Sequence, residues 1–229
     1  MICYRTVDDS NTSFSDIQEI LEASGSSRFG GRWNHIGQKA VYLSYEKEVT
    51  FAEKGFYSII ALADQLEIST KSPKENKKKI IDRSFSLLTL ELELEQASIV
   101  DLTVQGNLSK YLQEFNLGNY TVEDSRLSPY MRLPSKWTQE LGTSLAKSGV
   151  IGITVKSARS DISNNLIIFP ENLATTKVRV QDKNDVLLSA LDKSDNKYSL
   201  VSALSPKSRI LAEMGGSQMR IDVLNSPAP

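Results

Sequence analysis

The sequence predicts a mixed α/β fold, and three observations carry that expectation. Leu88, Leu90, Leu92 and Leu94 alternate with Thr89, Glu91, Glu93 and Glu95, the period-two pattern of a half-buried strand. Tyr45, Val49, Ala52, Phe56, Ile59, Ile60 and Ala63 recur at helical spacing and predict a helix from Glu46 to Asp64. Ser135 to Lys147 carries Trp137, Leu141 and Leu145 at helical spacing and leads into Val150 to Val155, an apolar strand of the buried kind.

The other elements follow in chain order. Ile2 to Val7 reads as a short strand. Ser15 and Gln18 have the spacing of a capping box, and Ile17, Ile20 and Leu21 continue as a helix that ends near Ser24 and Gly25. The stretch SSRFGGRWN, Ser26 to Asn34, contains Gly30 and Gly31, which imply a backbone that turns sharply or approaches something closely. Ala40 to Ser44 is a strand with Tyr42 and Ser44 on one face and Val41 and Leu43 on the other. Residues 70–84, with Lys71, Lys74, Lys77, Lys78 and Lys79, read as a solvated polar loop. Ser98 to Leu102 is a strand and Leu108 to Phe115 a short helix after Asn107. Gly149 is placed to stop the 135–147 helix, and Asn165 to Phe169 is a strand ended by Pro170. From Ala174 the composition shifts, with strand-like pieces at Val178 to Val180 and Val186 to Leu188 in polar text and a frayed tail at Ser226 to Pro229. The expected organisation is one domain over residues 1–173 and a C-terminal extension over 174–229.

Composition narrows the chemistry. The chain has 229 residues, 40% of them hydrophobic, with 27 Lys+Arg against 28 Asp+Glu. Such a chain has enough apolar residues to build a core, and its near-neutral balance argues against a dedicated nucleic-acid binder. Cys3 is the only cysteine and His35 the only histidine, so no intrachain disulfide and no common Cys/His zinc site can form, and no metal is expected. The sequence has no GxSxG nucleophile elbow, no GxGxxG and no GxxxxGK[ST], which argues against a standard triad hydrolase, dinucleotide-binding fold or nucleotide-hydrolysing loop. Arg5, Asp8, Asp9, Asp16 and Glu19 interrupt the start of the chain, and no run approaches the ~18–20 apolar residues of a membrane span. A cytoplasmic protein with no membrane contact is expected.

Individually, the polar residues of these segments have ordinary readings. Trp33 and Tyr42 could be core aromatics, Arg28 and Arg32 solvated charges, and Glu53 the partner of a basic group. The alternative for Arg28 to Asn34 is an anion site, where glycines let backbone N–H groups approach phosphate and an arginine fork grips it. Glu53 lies one residue past Ala52 and in line with Val49, Phe56 and Ile60, on or beside the buried stripe of its helix. A carboxylate there needs partners.

Taken together, Tyr4-Arg5, Arg28-Phe29-Gly30-Gly31-Arg32-Trp33-Asn34, Tyr42-Leu43-Ser44, Glu53, Ser157-Ala158-Arg159 and Asn165 to Pro170 resemble the RES-domain family. These are bacterial toxins of toxin–antitoxin pairs that degrade NAD. The resemblance covers residues 2–173, and its most specific piece is RFGGRWN followed by YLS and a glutamate eleven residues past the tyrosine. It implies a fold like that of diphtheria-toxin-like ADP-ribosyltransferases, a split sheet around a cleft. Carried over residue by residue, it implies Arg32, Tyr42, Glu53 and Ser157 as the catalytic set, lining one cleft. Arg5, Arg28, Gly30, Gly31, Asn34 and Ser44 would help bind the dinucleotide. NAD is then a substrate and no cofactor is required. The implied partner is an antitoxin, often with a helix-turn-helix region, so any DNA contact belongs to that partner, as would the assembly of a homo-oligomer. Residues 174–229 have no counterpart in the resemblance.

This set suits cleavage of the nicotinamide–ribose bond, which places positive charge on the ribose in an oxocarbenium-like transition state. Glu53 would stabilise that charge, Tyr42 would stack on nicotinamide, and Arg32, with Arg28, would clamp the pyrophosphate. Water as acceptor makes a glycohydrolase, phosphate a phosphorylase and a side chain an ADP-ribosyltransferase. Many protein-directed ADP-ribosyltransferases carry Glu or Gln two positions before the catalytic glutamate; Phe51 stands there, which favours a small acceptor. A non-catalytic module that retains a nucleotide pocket is the alternative from another class.

Overall fold

The computed structural model describes residues 1–8, 17–47, 49–50, 53–54, 80–95, 98–126, 136–158, 163–193, 197–205, 208–215 and 218–225. Its strands are β1 (Ile2–Asp8), β2 (Val41–Ser44), β3 (Ile80–Leu92), β4 (Ile99–Asp101), β5 (Gly152–Lys156), β6 (Asn164–Ile168), β7 (Val178–Lys193), β8 (Lys197–Ser205), β9 (Ser208–Gly215) and β10 (Gln218–Asn225). They form one sheet in the order β10-β9-β8-β7-β3-β1-β2-β6-β5-β4, antiparallel throughout except for the parallel pair β4 and β5. The α-helices among the described residues include α1 (Ile17–Glu22), α2 (Ser24–Phe29), α3 (Gln105–Glu114), α4 (Val122–Arg126) and α5 (Lys136–Lys147). The mixed α/β class is the one the sequence predicts.

The sheet separates two apolar cores. On one face Cys3, Val7, Leu43, Leu88, Leu90, Leu166 and Ile168 pack with Ile20 and Leu21 of α1. On the other, Ile153, Val155 and Ile167 pack with Trp33, with Leu108 and Leu112 of α3 and with Leu141 and Leu145 of α5. In the middle of the sheet β1 and β2 share a single register pair, Tyr4 with Ser44. By contrast, β1 runs against β3 from Ile2 opposite Glu91 to Asp8 opposite Phe85.

Several elements differ from the sequence expectation. The first helix does not end at Ser24: Ala23, at φ 48°, breaks it, and a second helix, α2, starts at Ser24 and reaches Phe29. Strand β3 begins at Ile80, inside the expected lysine loop, because it pairs with β7 from Ile80 opposite Leu191 onward. Its half-buried pattern holds only toward its end, since Phe85 and Leu87 are buried as well as Leu88, Leu90 and Leu92. Helix α3 starts at Gln105 rather than after Asn107, whose side chain donates to the Asp101 carbonyl instead of capping. The two short pieces expected near residues 178 and 186 are one strand of 16 residues, and the chain to Asn225 adds three more strands to the same sheet. Gly149 ends α5 as expected, with Val150 N–H donating to Leu145 O and Gly149 N–H to Ala146 O.

Lys47, Val49, Thr50, Glu53 and Lys54 are helical. The remaining stripe residues Ala52, Phe56, Ile59, Ile60 and Ala63 lie outside the described residues, as do Ser15, Phe51, Arg159 and the lysines of the 71–79 run. No helix among the described residues is long and apolar enough to cross a membrane. No cluster of three or more His, Cys, Asp or Glu among them could hold a metal ion.

Candidate active site

The site begins with a tight turn between α2 and β2. Gly30 closes α2 by donating its N–H to Ser26 O and takes φ 73° and ψ 173°, a backbone region essentially restricted to glycine. Gly31 and Asn34 then form an isolated antiparallel bridge. A Cβ on Gly31 would lie 2.2 Å from the Tyr42 hydroxyl and 2.6 Å from Asn34 Oδ1, so only glycine lets those two groups meet behind the turn. They do meet: Tyr42 donates to Asn34 Oδ1 at 2.8 Å and accepts from Trp33 N–H at 2.9 Å. The fully buried Asn34 amide donates to the carbonyls of Ser26, His35 and Gln38.

Helix α5 holds the same turn from the other side. Gln139 Nε2 donates to Gly31 O at 2.9 Å and to Asn34 O at 3.1 Å. Trp33 is fully buried, edge-on to Trp137, which stacks on Tyr120. Arg32 emerges from this scaffold half-buried, its guanidinium 5.8 Å from the Trp33 ring centroid and Nη2 donating to Lys156 O at 2.9 Å. The residue after Lys156 is Ser157.

Ser157 is fully buried and donates to Glu53 Oε1 at 2.7 Å. Asn165 Nδ2 donates to the same oxygen at 2.9 Å, and Ser44 Oγ donates to Asn165 Oδ1 at 3.0 Å. Ser44 and Asn165 are register partners across β2 and β6. The structure thus brings Arg32, Glu53, Ser157 and Ser44 together around the ends of β2, β5 and β6. Tyr42 is two residues before Ser44 on the same strand face, with its hydroxyl committed to the turn.

Two predicted binding residues stand apart from that network. Arg28, at the end of α2, is exposed and lies over the Phe29 ring at 5.1 Å. Arg5 alternates with Tyr4 along β1 and so shares a face with Cys3 and Val7, opposite Leu88, away from the face of Tyr4 and Ser44. Its Nη1 is buried without a hydrogen bond among the described residues, and burial pulls its pKa down to about 10. In the sequence Asn165 stands out only as the head of a strand segment within the family resemblance, with no role of its own, and Gln139 does not stand out at all. One signal was available for α5: a glycine inside an amphipathic helix, Gly142, marks close backbone approach, and a Cβ there would meet Trp33 O at 2.0 Å.

The model of the RES domain matches residues 2–189. The chain belongs to the RES-domain family. The matched span runs through most of β7. Among solved structures, the toxin–antitoxin complex MbcT–MbcA of M. tuberculosis contains a chain similar to this RES-domain protein. Its TM-score is 0.52 at 18% sequence identity, covering 80% of this chain and 82% of that one. At that identity the likeness is one of fold. No curated protein matches the sequence.

Proposed function

We propose that this RES-domain protein is the toxin of a toxin–antitoxin pair and cleaves NAD at the nicotinamide–ribose bond. The observation that carries the reading is the convergence of Glu53, Ser157 and Arg32 from three distant segments onto the end of β5. Family membership and a fold shared with a chain of a toxin–antitoxin complex support it.

In this reading NAD is substrate and no cofactor is needed. The Glu53 carboxylate faces C1′ of the ribose and stabilises the charge that grows as neutral nicotinamide leaves, a contact worth most where water is excluded. Arg32, held against Trp33 and the Lys156 carbonyl, offers its guanidinium to the pyrophosphate. The Tyr42 ring stacks on nicotinamide while its hydroxyl anchors the turn that carries Arg32. An ADP-ribosyltransferase-like arrangement would seat the dinucleotide where β1 and β2 share their single pair. The protein is cytoplasmic and is restrained by a small antitoxin with a helix-turn-helix region.

The test is nicotinamide release from NAD by the purified wild type and by Glu53→Gln. Glutamine can still accept both bonds now made to Oε1, so the substitution removes charge and little else. Release should fall by at least ~10²-fold, the scale of a preorganised electrostatic contact. A Glu53→Gln protein with full turnover, or a wild type that binds NAD without releasing nicotinamide, overturns the reading. Running the wild type with and without phosphate separates hydrolysis from phosphorolysis.

A further inference from the structure

We propose that Asn165 is a positioning residue for the Glu53 carboxylate and that Ser44 sets its orientation, an inference that rests on Glu53 facing the reacting ribose. The three side chains form a directed chain of donors: Ser44 Oγ to Asn165 Oδ1 at 3.0 Å, then Asn165 Nδ2 to Glu53 Oε1 at 2.9 Å. Ser44 and Asn165 are both buried, and they face each other because β2 and β6 are in register at that pair.

The two ends of an amide have the same shape and opposite polarity. Flipped by 180°, Asn165 would set an acceptor oxygen against a carboxylate oxygen. The Ser44 hydroxyl strengthens the observed orientation, because a bond donated into Oδ1 polarises the amide and makes Nδ2 a better donor to an anion. A chain of neutral donors that ends on a charge stabilises the carboxylate without neutralising it, which a lysine in the same place would do.

The second consequence is directional. Asn165 and Ser157 both donate to Oε1, while Oε2 makes no hydrogen bond among the described residues. Donors from two elements, β6 and the residue after β5, fix the carboxylate plane and leave Oε2 as the oxygen offered to substrate. Asn165 reaches the chemistry only through Glu53. A carboxylate that must sit beside a developing charge is sensitive to such fixing, since misplacement by ~1 Å can cost on the order of 10²-fold in rate.

The experiment uses the full chain as wild type, Ser44→Ala, Asn165→Ala, Asn165→Asp and Glu53→Gln, with two readouts. The first is the side-chain amide resonance of Asn165, which should move in both Ser44→Ala and Glu53→Gln. A resonance indifferent to Glu53→Gln overturns the proposal, whatever the protein does with NAD. The second is nicotinamide release. Asn165→Ala should lower kcat by ~10–100-fold, the range for a hydrogen bond to a charged group, with KM little changed. Asn165→Asp is isosteric and stands a second carboxylate against Oε1. The pair must then share a proton, and the acid limb of the kcat–pH profile should move up by at least ~1 unit. A residue that only joins β2 to β6 would lower the melting temperature and leave that limb in place, and this result overturns the proposal. If the wild type releases no nicotinamide, the NAD reading fails on its own, and the amide resonance still decides whether Asn165 positions Glu53.

Discussion

Replacing Tyr42 by Phe removes one oxygen and tests how the turn that carries Arg32 is held. That oxygen donates to Asn34 Oδ1 at 2.8 Å and accepts from Trp33 N–H at 2.9 Å. Asn34 is fully buried, and its amide nitrogen is engaged by the carbonyls of Ser26, His35 and Gln38, so it cannot turn to find another donor without breaking those bonds. Each buried group left unpaired costs about 1–3 kcal/mol, and with some relaxation the pair should cost about 2–4 kcal/mol. With a slope of roughly 2–3 kcal/mol/M for a chain this size, the urea midpoint should fall by about 1 M at unchanged slope. Phe keeps the ring, so the variant separates tethering from stacking: any stacking on nicotinamide survives, while the turn loosens and Arg32 with it. KM for NAD should therefore rise. A midpoint within about 0.2 M of wild type would refute the reasoning, since it would mean that the hydroxyl carries neither bond in solution.

Two further outcomes follow from other parts of the fold. Gly142→Ala should destabilise by at least about 1–3 kcal/mol despite alanine's better helix propensity, because its Cβ would sit 2.0 Å from Trp33 O and 2.9 Å from Trp33 C, both backbone atoms. Thermal melting checks this, and a Gly142→Ala protein as stable as wild type would mean that α5 does not press on the turn. Burial raises the Cys3 thiol from 9.0 to about 12, so the folded chain keeps the proton that the unfolded chain gives up. The stability this represents is complete below pH 9 and is lost as pH rises from 9 toward 12. By pH 10 the loss from Cys3 should be about 1.4 kcal/mol. Comparing urea midpoints of wild type and Cys3→Ala at pH 8 and 10 isolates it. Tyr45 is raised mainly by burial in both proteins, and the part of its shift that comes from the Cys3 charge disappears with the thiol and counts with it. Equal alkaline losses in the two would show that the thiol is not the cause.

How legible the molecule is from its sequence depends on which interaction decides each element. The ladder at Leu88, Leu90 and Leu92 and the stripe at Leu141 and Leu145 are visible because one face of each is buried and the chain repeats at the matching period. Ile80 to Ser84 reads as a loop because a lysine run precedes it, and only its long-range pairing with β7 makes it strand. The break at Ala23 rests on a positive φ that no residue type there announces. In the site, the acid, the arginine and the serine are recoverable from a resemblance in residue order and spacing. Asn165 heads a segment of that resemblance, but its role is not legible there, since an asparagine at a strand start acquires meaning only when β2 and β6 set it between Ser44 and Glu53.

Arg32 and Glu53 reach the site by different routes, one on a turn braced by Tyr42, Asn34 and Gln139, the other on a helix. Yet both are registered against consecutive residues at one strand end, Arg32 on the Lys156 carbonyl and Glu53 on the Ser157 hydroxyl. Gly152 to Val155, which with Lys156 make up β5, are buried and lie between β4 and β6, so this reference point is set by the interior of the sheet. A cation and an anion bonded to adjacent residues at the end of one strand are placed by the same element, although separate segments deliver them. A bond between the two groups would hold them together but would consume both charges. Here each is bonded to a neutral atom at the end of β5, and on the reading proposed above the guanidinium and the carboxylate serve the two oppositely charged ends of one substrate.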